Sequence, residues 1–358
     1  MIIFLLLASL LPMRVEAAAL PDAIQDALPQ QAQELLDHLD TDEINHEALS
    51  NGGGYLWERT CECLGGIVKE STRSAVLILC VVLLCAIGED CFQAAGNTGV
   101  RNTVSVVGVL AITLITAGNM TSLIGMGVET IDQLDVFSKA LLPTLAAAVA
   151  AGGGIVSAGV KQVATVFFSD ILITLIRNIL LPLVYCYIAV SVVAALLPEQ
   201  KPERIAKGIC KGITWLLTGS LVLFTGYLTL AGAVTGSADA LTVHMTRSVI
   251  GAAVPVVGNI ISDATLSVLA GAEMLKNSIG VVGMLAVLAV CLLPFLHLGV
   301  QYLLYKLTAF LAGTIGSELL TKLIDALGGA FGLILGMAGT SALLLLISIA
   351  SLVAISIS

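Results

Sequence analysis

Charge is what this sequence has least of. Of its 358 residues only 11% are Asp, Glu, Lys or Arg, 58% are hydrophobic, and mean hydropathy is +1.02. Soluble domains are about a quarter charged, which lets them cover their surface. The shortage excludes a soluble enzyme, a disordered chain and a fibrous repeat. It leaves an all-α integral membrane protein, a polytopic helical bundle, because backbone polar groups in lipid must be satisfied internally.

Other absences narrow the chemistry. There is no GxSxG, no HExxH and no GxxxxGK[ST]. Glycines and a lysine occur between Gly154 and Lys161, but the lysine does not follow a glycine. ATP hydrolysis by a P-loop is excluded, so energy for any work has to come from a partner or an ion gradient. No CxxC pair occurs among the eight cysteines. Cys80, Cys85, Cys91, Cys186, Cys210 and Cys291 sit in or beside apolar stretches, where cysteine acts as a small hydrophobe. Cys61 and Cys63 are too close for an unstrained ring, which leaves intermolecular pairing or free thiols. No metal, no cofactor and no catalytic residue is expected, and no basic patch offers itself to nucleic acid.

The few charges are unevenly placed. Residues 18–70 hold eleven acids and two bases, net −9, while residues 71–358 are balanced. Three domains follow. Residues 1–19 read as a cleavable signal peptide, with an uncleaved amphipathic anchor as the alternative: Ile2 to Leu11 is too short to span about 30 Å, Pro12 ends it, and Ala17 and Ala19 offer small residues for cleavage. No base precedes this apolar run. Residues 20–72 form an acidic extracytoplasmic segment, with a turn or linker at Asn51-Gly52-Gly53-Gly54. Within it Trp57, Cys61, Leu64 and Val68 make one apolar stripe, read as an interfacial helix over 55–72, with a small packed soluble helix as the alternative. Residues 73–358 form the polytopic membrane domain.

Apolar stretches in that domain lie at about 74–94, 103–126, 137–160, 163–197, 213–234, 249–272, 279–305 and 327–356, which predicts seven to nine spans. The stretch at 163–197 is too long for one straight crossing and predicts a kinked helix or a hairpin. The one at 249–272, with Pro255 and Asp263, reads as re-entrant. Lys201, Arg204, Lys207 and Lys211 put the 201–211 loop in the cytoplasm. Glu129, Asp132 and Asp135 suggest an outside loop at 129–135. The prolines hint at duplication: Pro143 and Pro182 are 39 residues apart, as are Pro255 and Pro294. That spacing suggests repeats over 102–197 and 213–305, as found in many transport proteins.

Candidate sites follow from cost. Ionisable residues at membrane depth default to function, so Asp170, Arg177 and Asp263 are candidate conduit or gating positions, with interfacial anchoring as the rival for the first two. Small residues at four-residue steps, Ala150 and Gly154 in one place and Gly328, Gly332 and Gly336 in another, let helices approach closely. Packing within the bundle is the reading favoured over an oligomer interface. Pro143, Pro182, Pro255 and Pro294 are candidate helix breakers. His297 reads as a packed or hydrogen-bonded core histidine.

Several stretches in order resemble the stage III sporulation protein AE family of endospore-forming bacteria. They are Leu39-Asp40-Thr41, Gly152-Gly153-Gly154-Ile155-Val156-Ser157-Ala158, Arg177-Asn178-Ile179-Leu180-Leu181-Pro182-Leu183, Val254-Pro255-Val256-Val257-Gly258, Ile261-Ser262-Asp263-Ala264-Thr265, Leu275-Lys276-Asn277-Ser278-Ile279-Gly280 and Tyr305-Lys306-Leu307-Thr308-Ala309. The resemblance implies a multi-pass protein of the mother-cell membrane surrounding the forespore. It further implies a part in a channel or secretion-like complex needed for spore development. The implied partners are the other stage III A sporulation proteins, including a separate ATPase, the forespore stage II sporulation protein Q, and the lipid bilayer. It brings no catalytic residue. A secondary transporter with a midplane substrate site and a passive assembly scaffold remain as rival readings.

Overall fold

The computed structural model describes residues 46–94, 98–196, 202–253, 258–315 and 318–355. They form helices and no strand. The helices are α1 (His46–Ala94), α2 (Thr98–Ala151), α3 (Ile155–Leu175), α4 (Leu181–Leu196), α5 (Glu203–Ala253), α6 (Gly258–Ile315) and α7 (Glu318–Val353), with a π-turn at Ile176–Leu180 joining α3 to α4. Six helical segments are long and apolar enough to cross a membrane: Leu64–Cys91, Thr103–Ala151, Ile155–Leu196, Glu203–Gly236, Leu269–Ile315 and Glu318–Val353.

The described residues thus carry six candidate spans beside the expected seven to nine, and two of the expected interruptions are bridged by continuous helix. The stretch at 103–126 and the first part of the next, 137–151, lie on one helix of 54 residues, about 80 Å at 1.5 Å per residue, and 155–160 belong to α3. No Gly-Gly or Pro interrupts residues 128–142. Glu129, Asp132 and Asp135, expected in an outside loop, therefore sit inside α2. Pro143 does not stop the helix either; its ring faces outward, and the Thr144 hydroxyl donates to the carbonyl of Leu141 at 2.7 Å.

The stretch at 163–197 is also continuous, neither hairpin nor break. Pro182 lacks an N–H and would crowd the carbonyl four residues back. The π-turn just before it widens the ladder, so that Leu181 N–H reaches Ile176 O, and the helix passes through. Pro294 likewise lies inside α6. Pro255, Ala17 and Ala19 lie outside the described residues. The Gly52–Gly54 run is helical within α1, and the expected boundary at 72/73 falls inside that same helix.

The second glycine triplet does end a helix. Gly153 takes φ 98, a left-handed value that favours glycine, and Gly154 N–H bonds back to Val149 O at 3.1 Å.

Contacts fix the directions of the helices. At one end, here the basic end, Lys322 meets Glu203 at 3.5 Å and the Ser105 hydroxyl donates to Glu89 at 2.6 Å. At the other, the glycine end, Lys161 reaches Ser351 O at 2.7 Å and Lys276 reaches Ile355 O at 2.8 Å. Hence α2, α5 and α7 run from basic end to glycine end, and α3–α4 and α6 run back. The α2/α3–α4 and α5/α6 hairpins point the same way.

Two apolar clusters fill the interior, one around Ile78, Ile112, Tyr305 and Phe331 and one around Phe137, Leu141, Leu285 and Ile349. Lipid tails are as apolar as leucine, so close packing holds such helices together rather than expulsion of water. Glycines provide it. An added Cβ would lie 2.2 Å from Val353 at Gly280, 2.4 Å from Ile334 at Gly127 and 2.9 Å from Tyr305 at Gly328. Of the predicted packing stripe, a Cβ added at Gly332 would lie 3.0 Å from the Tyr302 ring, whereas one at Gly336 would meet only Leu217, at 3.8 Å. Gly154 packs on Val149 and Ile355, and Ala150 is half-buried beside the second cluster.

Candidate functional site

Depth along the bundle identifies the charges that matter. Three helices have uncharged windows of 27 to 29 residues: Gly212–Ala238 on α5, Asn277–Tyr305 on α6 and Ala326–Val353 on α7. Each is about 40 Å long, enough for the hydrocarbon core of a bilayer. Contacts set them at one level, with Leu217 against Gly336, Tyr302 against Gly332 and Val353 against Gly280.

Asp170 and Arg177 fall inside that level. On their helix they lie between Thr165, which bonds Ser348, and Tyr187, whose hydroxyl abuts Gly329. On α2, residues 129–139 lie between Gly127, against Ile334, and Leu141, against Gly283. So six charges occupy the middle of the depth at which the other three helices carry none, Glu129, Asp132, Asp135, Lys139, Asp170 and Arg177, with Lys161 at its glycine-end edge beside Ser351 and Gly232.

Asp170 and Arg177 do not pair with each other, although seven residues put them on one side of their helix. Each bonds across to α2. Arg177 is paired with Asp132. Lys139 bridges two carboxylates, Asp135 at 2.9 Å and Asp170 at 3.1 Å. Glu129 has Gln133 at 3.5 Å. These groups are on the outside of the bundle: Asp170 is 56% exposed, Arg177 51%, Lys139 47% and Asp132 39%. An ionised side chain facing hydrocarbon at the bilayer centre costs about 3 kcal/mol on insertion scales. Hydrocarbon is therefore the wrong neighbour for this face. Asp263 lies on α6 by its backbone, and the position of its side chain is outside the described residues.

A second polar group, at the glycine end, went unseen in the sequence. α3 begins at Ile155 with no side-chain cap from Gly154. Its cap comes from α5. Buried Asp239 accepts from Val156 N–H at 2.9 Å and Ser157 N–H at 3.0 Å, satisfying two donors that a helix start leaves open. The Ser157 hydroxyl donates to Thr235 at 2.8 Å. Opposite them, buried Lys161 and Lys276 donate to carbonyls at the end of α7, where the helix dipole favours cations. The Gly152–Ala158 and Leu275–Gly280 stretches thus meet at one end. A helix beginning after glycine with no local cap was the available signal.

His297 Nδ1 lies 3.1 Å from Leu293 O, a hydrogen bond within its own helix. The six described cysteines are free thiols. Among the described residues no cluster of His, Cys, Asp and Glu could hold a metal.

Long apolar helices that bury little charge and carry a charged belt at mid-depth define a polytopic membrane protein. The chain belongs to the stage III sporulation protein AE family, whose sequence model matches residues 39–356. It is similar to stage III sporulation protein AE of Bacillus subtilis (strain 168), with 26% identity over 286 residues. That match covers 79% of this chain and 66%, just under two thirds, of the relative. No solved structure matches.

Proposed function

We propose that this chain is the polytopic core of the complex joining mother cell to forespore, a channel or secretion-like machine needed for spore development. The family match over residues 39–356 carries the reading. On this reading the chain sits in the mother-cell membrane around the forespore, with the basic segment 201–211, helical from Glu203 as the start of α5, in the cytoplasm. The acidic segment 20–72, freed by cleavage after residues 1–19, extends between the two membranes and docks ring-forming partners. The other stage III A proteins, an ATPase among them, supply energy, and stage II sporulation protein Q meets the complex from the forespore side.

Two further observations support a role in a conduit or its assembly. The belt around Asp170 and Arg177 is polar at a depth where lipid is not. The two hairpins also run in the same sense, as a parallel duplication over 102–197 and 213–305 requires. A transporter would share both features. It differs in needing uptake by the isolated chain in liposomes, lost on Asp170→Asn.

The test is deletion of the gene in a spore-forming host, followed by microscopy and a late forespore reporter. Arrest after engulfment with a silent reporter is expected. Normal spores, in a strain with no second copy of the family, overturn the proposal.

A further inference from the structure

We infer that the belt face of α2 and α3 is the seat of a partner's transmembrane helix, one that carries basic side chains at bilayer mid-depth. The inference rests on the membrane reading of the fold and not on the sporulation role.

The first ground is charge. Glu129, Asp132, Asp135 and Asp170 are four carboxylates, and Lys139 and Arg177 are two cations. Arg177 answers Asp132, and Lys139 is shared by Asp135 and Asp170. Glu129, exposed, has only the Gln133 amide. Asp135 Oδ1 is buried with no hydrogen-bond partner. The face is therefore short of about two positive charges, at a depth where neither water nor lipid headgroups supply them.

The second ground is the surroundings. Large apolar side chains flank the charges and are themselves open: Val136 at 62%, Phe167 at 60%, Ile179 at 48% and Ile171 at 46% exposed. A lining built for water would be polar throughout. An apolar face with a few charges at one level is what a helix of matching pattern covers.

A second copy of this chain does not fit. Belt against belt doubles the negative excess. Among the residues whose side chains are described, the exposed bases outside the belt are Lys69, Arg73, Arg204, Lys207, Lys211 and Lys322, and contacts of their helices set them on its basic-end side. Lys161 and Lys276, at the glycine end, are buried and already bonded.

The experiment uses the full chain, labelled with a fluorescent donor and reconstituted in phosphatidylcholine vesicles. Acceptor-labelled polyleucine helices are added, one with a single central lysine and one with leucine there. At equal peptide density the lysine helix is expected to associate about fivefold more strongly, as interhelical polar contacts in membranes do. Glu129→Gln and Asp170→Asn, each checked for unchanged helicity and detergent elution, should reduce or abolish that preference. Glu129 is in no ion pair among the described residues, so its variant is expected to fold even if the other does not. Equal association of the two helices overturns the inference, as does a preference that both variants retain. Transfer between copies of the chain that the lysine helix does not displace assigns the face to a second copy instead. Belt-dependent ion leakage through the chain alone assigns it to water. Neither result touches the deletion experiment.

Discussion

At the same depth this molecule solves one problem in two ways. α5, α6 and α7 cross it with no charge at all, and α6 is almost wholly buried from Lys276 to Cys291. α2 and α3 cross it with six charges, on an outer face. The first group is held by shape, through glycines against Val353, Ile334 and Tyr305. The second is held by ion pairs between two neighbouring helices. Packing of small residues suits an interior with nothing left to recognise. Charge on an outer apolar face leaves something still to be met. The bundle thus has a structural side and a side with unfinished electrostatics.

The largest expected effect comes from breaking the second side. Arg177→Asp places two carboxylates together at mid-depth, and should remove most of the folded protein from membranes and most spores. Adding Asp132→Arg restores the pair in reverse order and should recover much of both, as read by immunoblot of membranes and by heat-resistant colony counts. If the double reversal does no better than the single one, the pair is not what holds these helices.

The structural side breaks by overpacking. Gly280→Ala puts a Cβ 2.2 Å from Val353, and should cost about 1–3 kcal/mol, seen as an earlier midpoint in denaturant titration of the detergent-solubilised chain. The cap at the glycine end is next. Asp239→Ala leaves Val156 and Ser157 N–H without their acceptor and should cost about 1–2 kcal/mol in the same titration. Asn there can still accept a hydrogen bond and should recover part of it. Smallest is Gly336→Ala, with only Leu217 at 3.8 Å, expected to move the midpoint by no more than about 0.5 kcal/mol. Gly280→Ala on α6 and Gly336→Ala on α7 together test whether the glycines act through contact or merely through small size.

Composition made the class of fold legible, since so few charges permit only a membrane bundle. The helix boundaries were less so. Glu129, Asp132 and Asp135 look like a loop because acidic residues usually lie outside the membrane. Nothing in one sequence reveals that Arg177 and Lys139 answer two of them, Asp132 and Asp135, from close by. Pro182 looked like a break because its remedy, a π-turn, has no residue signature. Asp170 and Arg177 could be picked out by cost alone, yet their partners on α2 could not, being 31 and 45 residues away. Asp239 was hidden for the same reason: a cap is recognisable when adjacent in sequence and invisible when it arrives from another helix.

That remote cap has a consequence for how the chain is made. Asp239 follows Val156 by 83 residues, which at 5–20 residues per second is a delay of roughly 4 to 17 seconds on the ribosome. Ser351, which receives Lys161, follows it by 190. The α2/α3 hairpin therefore emerges into the bilayer with its turn open and a lysine unanswered, and waits for later helices to close both. Its first resting place in the membrane is provisional, and the final one is set only as α7 is completed.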